Sequence, residues 1–363
     1  MGKAGWRTIG AVMIGVMAII AAAGLGVWLF QPQLGTLLLT RVAQERAGRD
    51  ATAGLPDGLH VILCGTGSPL PDPTRAGPCT MIIAGRHIYV VDAGEGAARN
   101  LLLMGLPTGR IDRLFLTHFH SDHIDGMGPM LLMRWSARPN LSPLPVAGPT
   151  GVEAVVAGFN QAYARDNGYR TAHHGAAIMP PGGAGGVAMP FAFGAAPVVV
   201  LDDQDVRVTA FPVDHGPVSP AVGYRFDYKG RSVVISGDTA PSPSVAAAAR
   251  GADLLVHEAL QPALVARLTD ALVARGVANT AQVTRDILNY HSSPEQAADA
   301  ARTAGARQLV LNHVVPPMPF RFAYPAFLGD AARRFDGPIT VGEDGMIFTL
   351  PANGTATTAG RLM

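Results

Sequence analysis

The sequence predicts an α/β domain carried behind one N-terminal transmembrane helix. Three observations predict it: an uncharged apolar run from Ile9 to Phe30, an alternation of short strands and helices from about His60 onward, and histidine or aspartate side chains at the ends of successive strands. Of 363 residues, 48% are hydrophobic and 15% are charged, enough for a large buried core. The formal net charge is +1, so no broad basic field exists to hold nucleic acid, and no nucleic-acid partner is expected. Cys64 and Cys79 are the only cysteines, which excludes a disulfide scaffold and a Cys-rich zinc module. They end and begin neighbouring apolar runs, which leaves a bridge between adjacent strands and two free buried thiols both open.

Residues 1–31 read as a membrane anchor or signal segment. The run "IGAVMIGVMAIIAAAGLGVWLF" is long enough to cross a bilayer as a helix. Lys3 and Arg7 before it favour an N-terminus in the cytoplasm, although Arg41, Arg46 and Arg49 follow it. Ala21 to Ala23 offer a small-residue cleavage site, but the run continues through Val27, Trp28, Leu29 and Phe30, which favours an uncleaved anchor. The domain behind it is therefore expected outside the cytoplasm: periplasmic in a Gram-negative source, or secreted if the segment is removed. Residues 32–57 read as a linker with a helical stretch near Leu37 to Ala47.

Residues 58–350 read as one folded α/β domain. "HVILCGTGSP" is a strand entering a Gly-rich turn, and "TMIIAG" with "HIYVVDAG" forms a hairpin around Gly85 and Arg86. "EGAARNLLLMG" is a helix stopped by Gly105, and "IDRLFLTH" is the next strand. Thr150 and Glu153 make a capping box for a helix through about Arg165. Residues 168–197, with "PPGGAGG" at their centre, read as a long surface loop or insertion on one domain. "VRVTAFPV", "RSVVISG", "ADLLVHE" and "RQLVLNH" resume the strand rhythm, and residues 351–363 read as a tail.

The chemistry is concentrated in "THFHSDH". His118 and His120 point the same way if the backbone is extended, and a turn after His120 lets Asp122 and His123 aim at a second point nearby. Imidazole nitrogen and carboxylate oxygen without thiolate suit zinc. One motif cannot fill two coordination shells, but "FPVDH" adds His215, "VVISGD" adds Asp238 and "LVLNH" adds His313, each after an apolar strand. Strand ends on one edge of a sheet converge. The tally gives one site from His118, His120 and His215, a second from Asp122, His123 and His313, and Asp238 as a bridge: two Zn²⁺ per chain. A single histidine at a strand end is more often structural, but so many placements at one kind of position are not.

At these residues the sequence resembles the metallo-β-lactamase-fold hydrolases, whose signature H-x-H-x-D-H is matched by "HFHSDH". "GTGSPLPDPTRAGPCT", "VVDAGEG", "DHGPVSPAVGYRF", "SGDT", "HEA", "HSSPEQAADAA" and "LNH" are similar to the arylsulfatase-like and ribonuclease Z-like branch. The resemblance implies a four-layer αββα sandwich and a seven-ligand dizinc arrangement. The residue standing as Asp238 is a cysteine in typical dizinc β-lactamases of this fold, which argues against antibiotic hydrolysis. Residues 168–197 hold one arginine, Arg170, and no lysine, whereas ribonuclease Z has a basic arm for tRNA. The expected activity is therefore cleavage of a sulfate or phosphate ester, aryl esters included, by hydroxide generated at the metals. The alternatives are a lactone, a β-lactam or an RNA 3′ end as substrate, or a metal-binding protein without activity.

Asp122 is expected to orient the nucleophile or take its proton. His291 is the candidate acid for the leaving oxygen: it precedes a helix signalled by Ser293 as N-cap, Pro294 in the first turn and Gln296 closing the box. His257 and Glu258 are expected to support the site from behind. Trp135, with Phe119 and the "PPMPFRFAYPAF" lip, is expected to receive an apolar or aryl group, and Arg321 to pair with an anionic ester. His173 and His174 read as solvated loop residues, and His60 and His87 suggest no role. A homodimer remains open.

Overall fold

The computed structural model describes residues 3–203 and 205–363. The side chains of residues 3–8, and with them the expected cationic flank of Lys3 and Arg7, lie outside the described set. The chain divides into two units, Met1–Asp50 and Ala51–Met363. In the first, helix α1 (Lys3–Leu29) contains a segment, Ile9–Leu29, long and apolar enough to cross a membrane. At 1.5 Å per residue it spans about 31 Å, close to a bilayer's hydrocarbon thickness. Helix α2 (Gln31–Arg46) starts earlier than the expected stretch near Leu37 to Ala47. Pro32 in its first turn pre-sets φ, and Leu34 N donates to Phe30 O, so the ladder resumes at once.

In the second unit, the strands in chain order are β1 (Gly58–Gly65), β2 (Cys79–Ala84), β3 (His87–Val91), β4 (Arg113–Phe115), β5 (Leu144–Pro149) and β6 (Gly186–Phe191). Then come β7 (Val198–Asp203), β8 (Val206–Pro212), β9 (Val222–Tyr228), β10 (Arg231–Ile235), β11 (Leu254–Leu260), β12 (Leu309–Val315) and β13 (Ile339–Val341). The last two are β14 (Met346–Pro351) and β15 (Thr358–Arg361). They form two sheets, ordered β15-β14-β1-β2-β3-β4-β5-β6 and β13-β12-β11-β10-β9-β8-β7.

Strand side chains alternate, so each strand feeds two layers. Leu59, Val61 and Leu63 of β1 enter a layer between the sheets with Phe115, Val208, Tyr224, Val233 and Val256. Ile62 and Cys64 of the same strand turn the other way, against Leu101 of α3 (Ala97–Leu103). After the short α4 (Ser121–Ile124), Met130 of α5 (Met127–Ala137) and Val156 of α6 (Val152–His174) complete that outer layer. The second sheet's outer face packs Val234 and Leu255 against Val245 of α7 (Pro243–Ala248). A helical hairpin, α8 (Pro262–Ala274) and α9 (Ala278–Asp286), precedes α10 (Pro294–Ala304), whose Ala297 and Ala301 join that layer. Phe327 of α11 (Tyr324–Leu328) and Ala331 of α12 (Ala331–Arg334) close it. The result is four layers, αββα. Because both faces are covered, the central strands read as continuous apolar runs rather than clean alternation.

The predicted hairpin turn is present, with Gly85 at φ 58 and Gly85 N donating to Gly58 O. Gly105, at φ 72, ends α3 as expected. Cys64 and Cys79 are bridged, joining the end of β1 to the start of β2. Residues 168–197 are ordered rather than a loop: α6 runs on to His174, ends at Gly175, and β6 adds to the sheet beside β5. The helix persists because no proline interrupts it, and "PPGGAGG" is a tight turn held by Trp135 Nε1 donating to Pro180 O at 2.8 Å. His173 and His174 are therefore exposed residues of a last helical turn. The Thr150–Glu153 box is half made: Gly151 N donates to Glu153 Oε2 at 2.9 Å, but Gly151 is the cap residue and Thr150 Oγ1 turns to Phe191 O. Residues 351–363, expected as a tail, supply β15, which pairs antiparallel with β14.

Candidate metal centre

Strands β3 to β6 run parallel to one another, as do β10 to β13, and the chain segments leaving β4, β10, β11 and β12 meet at one edge. His118 and His120 follow β4, and His120 precedes α4, which carries Asp122 and His123. His215 follows β8. Asp238 follows β10 through Gly237, at φ 63, where an added Cβ would lie 2.6 Å from Val222 O; only glycine makes this bend. His313 lies inside β12 at a bulge: Glu258 faces Asn312 and Ala259 faces Val314, which leaves His313 unpaired at φ 46. The bulge re-aims its ring towards the edge, and the left-handed backbone stores strain at the site.

All seven expected donors converge. His118 Nε2 lies 3.0 Å from His120 Nδ1, and His215 Nε2 lies 3.3 Å from that same atom. On the other side, His313 Nε2 and His123 Nε2 lie 3.3 and 3.6 Å from Asp122 Oδ2. Asp238 Oδ2 stands between the sets, 3.2 Å from His313, 3.3 Å from His123, 3.9 Å from His215 and 4.0 Å from His118. Within each set the donor atoms are no more than 4.8 Å apart.

The outer ring nitrogens are committed elsewhere, which fixes which lone pairs face inward. His123 Nδ1 donates to Asp92 Oδ2 at 2.9 Å, and His215 Nδ1 donates to the Tyr290 carbonyl at 3.0 Å. The Thr117 hydroxyl donates to Asp92 Oδ2 and so accepts from His118 Nδ1 at 3.1 Å. His123 Nε2 is buried, makes no hydrogen bond, and faces two carboxylates. A lone pair so placed, in a set of imidazoles and carboxylates without thiolate, fits a divalent metal.

Electrostatics agree with that fit. Burial pushes the His118, His120 and His215 imidazoles below their ordinary range, towards the neutral form a ligand needs. Burial opposes charge on His123 too, but Asp238, Asp122 and Asp92 outweigh it and lift the ring well above its usual value. Burial likewise works against an ionised Asp238, yet His313 and His123 hold its carboxyl well below the usual range. A cation would compete with the His123 proton for one lone pair.

His291 sits over this cluster, its ring stacked 5.4 Å from His313 and meeting His215 edge-on at 5.2 Å. Its Nδ1 donates to Glu258 Oε1 at 3.2 Å, and the same oxygen accepts from Ser292 N at 2.9 Å and Thr239 N at 3.2 Å. Burial would lower His291, but the Glu258 carboxylate outweighs it and raises the ring to about 9. The capping box behind it is complete: Ser293 Oγ accepts from Gln296 N, and Gln296 Oε1 accepts from Ser293 N.

Four expected placements are corrected. Trp135 is 1% exposed, turned inward on α5, and its indole N–H is spent on Pro180, so it cannot line a substrate surface. Phe119 packs against the helix-side core. Arg321 is exposed, but its guanidinium is bound by Glu343 through two nitrogens, so it is not free for an ester. His257 is buried with Nδ1 donating to the Glu258 carbonyl at 2.7 Å, so it braces the strand rather than a ligand. Sequence reasoning missed Asp92, which holds both His123 and Thr117 N; its signal was an aspartate at the strand end of "VVDAG". A cavity of about 550 Å³ lies at the opposite strand ends beside Gly85 and Lys229, away from this chemistry.

A family profile described as "Beta-lactamase superfamily domain" matches residues 87–314. The chain belongs to the metallo-β-lactamase superfamily, as a metal-dependent hydrolase acting on ester bonds. "Ribonuclease Z" of Mycolicibacterium gilvum is 39% identical over 300 residues, covering 79% of this chain and 94% of that protein. The ribonuclease Z-like branch is thereby its place within the superfamily. Two solved structures share the fold. The human tRNase Z short form has a TM-score of 0.55 at 23% identity, and a metallo-beta-lactamase fold protein of Bacillus subtilis has 0.56 at 18%. Each alignment covers 80% of this chain and 99% of the other. The likeness to ribonuclease Z overturns the expectation, drawn from net charge, that nucleic acid is excluded as a partner. Net charge averages over a whole surface and says little about a local site.

Proposed function

We propose that this chain is a metal-dependent phosphodiesterase that cleaves RNA, with two zinc ions held by the seven donors. The observation that carries the reading is the 39% identity along 94% of a protein named Ribonuclease Z, in a chain that keeps both donor sets and the shared Asp238. Divalent zinc held there supplies Lewis acidity, polarising a phosphoryl oxygen and lowering the pKa of water. Asp122, kept ionised by His123 and His313 against its burial, orients the nucleophile and can accept its proton. Glu258 keeps a proton on His291 near neutral pH, and His291 delivers it to the leaving oxygen.

The test is the zinc-loaded full chain in detergent, assayed on an RNA with an unpaired 3′ extension, on bis-p-nitrophenyl phosphate and on p-nitrophenyl sulfate. Cleavage of both phosphodiesters, abolished by His120→Ala, is expected. Sulfate turnover with intact RNA would overturn the reading.

A second reading, a small aryl phosphate or sulfate ester as substrate, has its own support. The apolar span Ile9–Leu29 and the Cys64–Cys79 bridge favour a domain anchored outside the cytoplasm. Arg170, the one cation of residues 168–197, is already paired with Asp166 at 2.6 Å. Protease protection in spheroplasts tests that placement: loss of the domain on adding protease outside is expected.

A further inference from the structure

Beyond the last donor, the chain leaves β12 at the metal edge and forms a short lip, residues 316–323, that exposes two aromatic rings. Phe320 is 65% exposed and Phe322 is 94% exposed. Exposed rings on a floppy loop would mean little, but this loop is anchored along its length. Val315 at its base packs with Leu260 and Val265. Met318 is buried, and its N–H donates to Asp72 Oδ2 at 3.2 Å. Arg321, between the two rings, is tied to Glu343. Tyr324, just beyond, accepts from Arg75 Nη2 at 2.8 Å and donates to Glu343 Oε1 at 2.9 Å. The phenyl groups therefore point into solvent because the backbone holds them there.

We propose that Phe320 and Phe322 form a stacking platform for unpaired nucleobases of the RNA that enters the metal centre; the proposal rests on the RNA-cleaving reading above. Every base offers a π-face, so aromatic platforms hold single strands without reading sequence. The charge pattern favours this mode of grip over an ionic one. Arg321, the cation between the two rings, is neutralised by Glu343, which leaves stacking to do what a basic side chain beside them would otherwise do.

The experiment compares the full chain with Phe320→Ala/Phe322→Ala and with Phe320→Trp/Phe322→Trp, on an RNA bearing an unpaired 3′ extension and on one trimmed to its duplex. Metal content and melting temperature confirm that each variant is folded. The alanine pair is expected to raise KM for the extended RNA about tenfold or more, with kcat little changed, and the tryptophan pair to restore KM. Equal KM values for wild type and the alanine pair on an RNA that both cleave would overturn the platform and leave the RNA reading standing. If wild type cleaves no RNA while it hydrolyses bis-p-nitrophenyl phosphate, the RNA reading fails and the platform with it. A fall in oligomeric mass in the alanine pair, with KM unchanged, would assign the rings to a contact between copies and also overturn the proposal.

Discussion

Asp238 is the one side chain that both halves of the centre share, since its Oδ2 lies within 4.0 Å of ring nitrogens from each. Asp238→Ala is expected to lose metal and activity together, with metal analysis falling below one ion per chain; full occupancy would contradict the bridging role. His291→Ala should keep its metal and lose rate by about 10²–10⁴-fold, because its partner is Glu258 and its proposed task is proton delivery. A drop in metal content of the same variant would make His291 a ligand instead. Gly237→Ala tests how Asp238 is aimed. A Cβ there meets both the Val222 carbonyl and Thr117 at a left-handed φ, so the bend must shift, and lowered metal affinity is the expected readout. His118, His120, Asp122 and His123 were legible in the sequence because period-two spacing and a following turn force them together. Asp92 was not, because a lone aspartate before Ala-Gly reads equally well as turn chemistry.

Elements were legible where pattern and punctuation agreed, as in the Gly85 hairpin and the capped start of α10. Residues 168–197 failed that way of reading: glycine and proline content suggested a loop, while the packing of Asn160 against Gly186 organised α6 and β6. Trp135 failed because helical periodicity says that a residue is apolar but not which face of α5 is inward. The lip is an element held by charge, and its anchor makes a pH prediction. Burial works against Glu343, but hydrogen bonds from Arg321, Arg361 and Tyr324 outweigh it and hold the carboxyl at about 2, below its ordinary 4.5. A depressed carboxyl stabilises the fold above its unfolded value and loses that contribution as pH falls through the folded one. Glu343→Gln should therefore melt below wild type at pH 7, by about 1 kcal/mol given its partial solvation, and the gap should close between about pH 4.5 and 2. A gap that stays constant across that window would show the pairing to be energetically idle.

At the scale of the whole molecule, stability rests on the layer between the sheets and on one covalent tie. Phe115, fully buried there among Tyr89, Tyr224 and Phe226, should cost about 3–5 kcal/mol when truncated to alanine. The Cys64–Cys79 bridge closes a loop of sequence separation 15, worth about 3 kcal/mol by chain entropy. Reduction, or Cys64→Ser with Cys79→Ser, should lower Tm by roughly 5 °C in a domain of this size. An unchanged melt would mean that the bridge does not form in the protein as made.

Between Glu258 and His291 the chain takes a long outward route. The two side chains touch, yet everything between their neighbours departs as the α8–α9 hairpin and comes back, with only a few of its residues committed to packing. A detour of that kind can lengthen, shorten or change its surface over evolutionary time while its two endpoints stay fixed. Relatives could thereby vary this outer surface without disturbing the Glu258–His291 contact on which the proposed proton delivery rests.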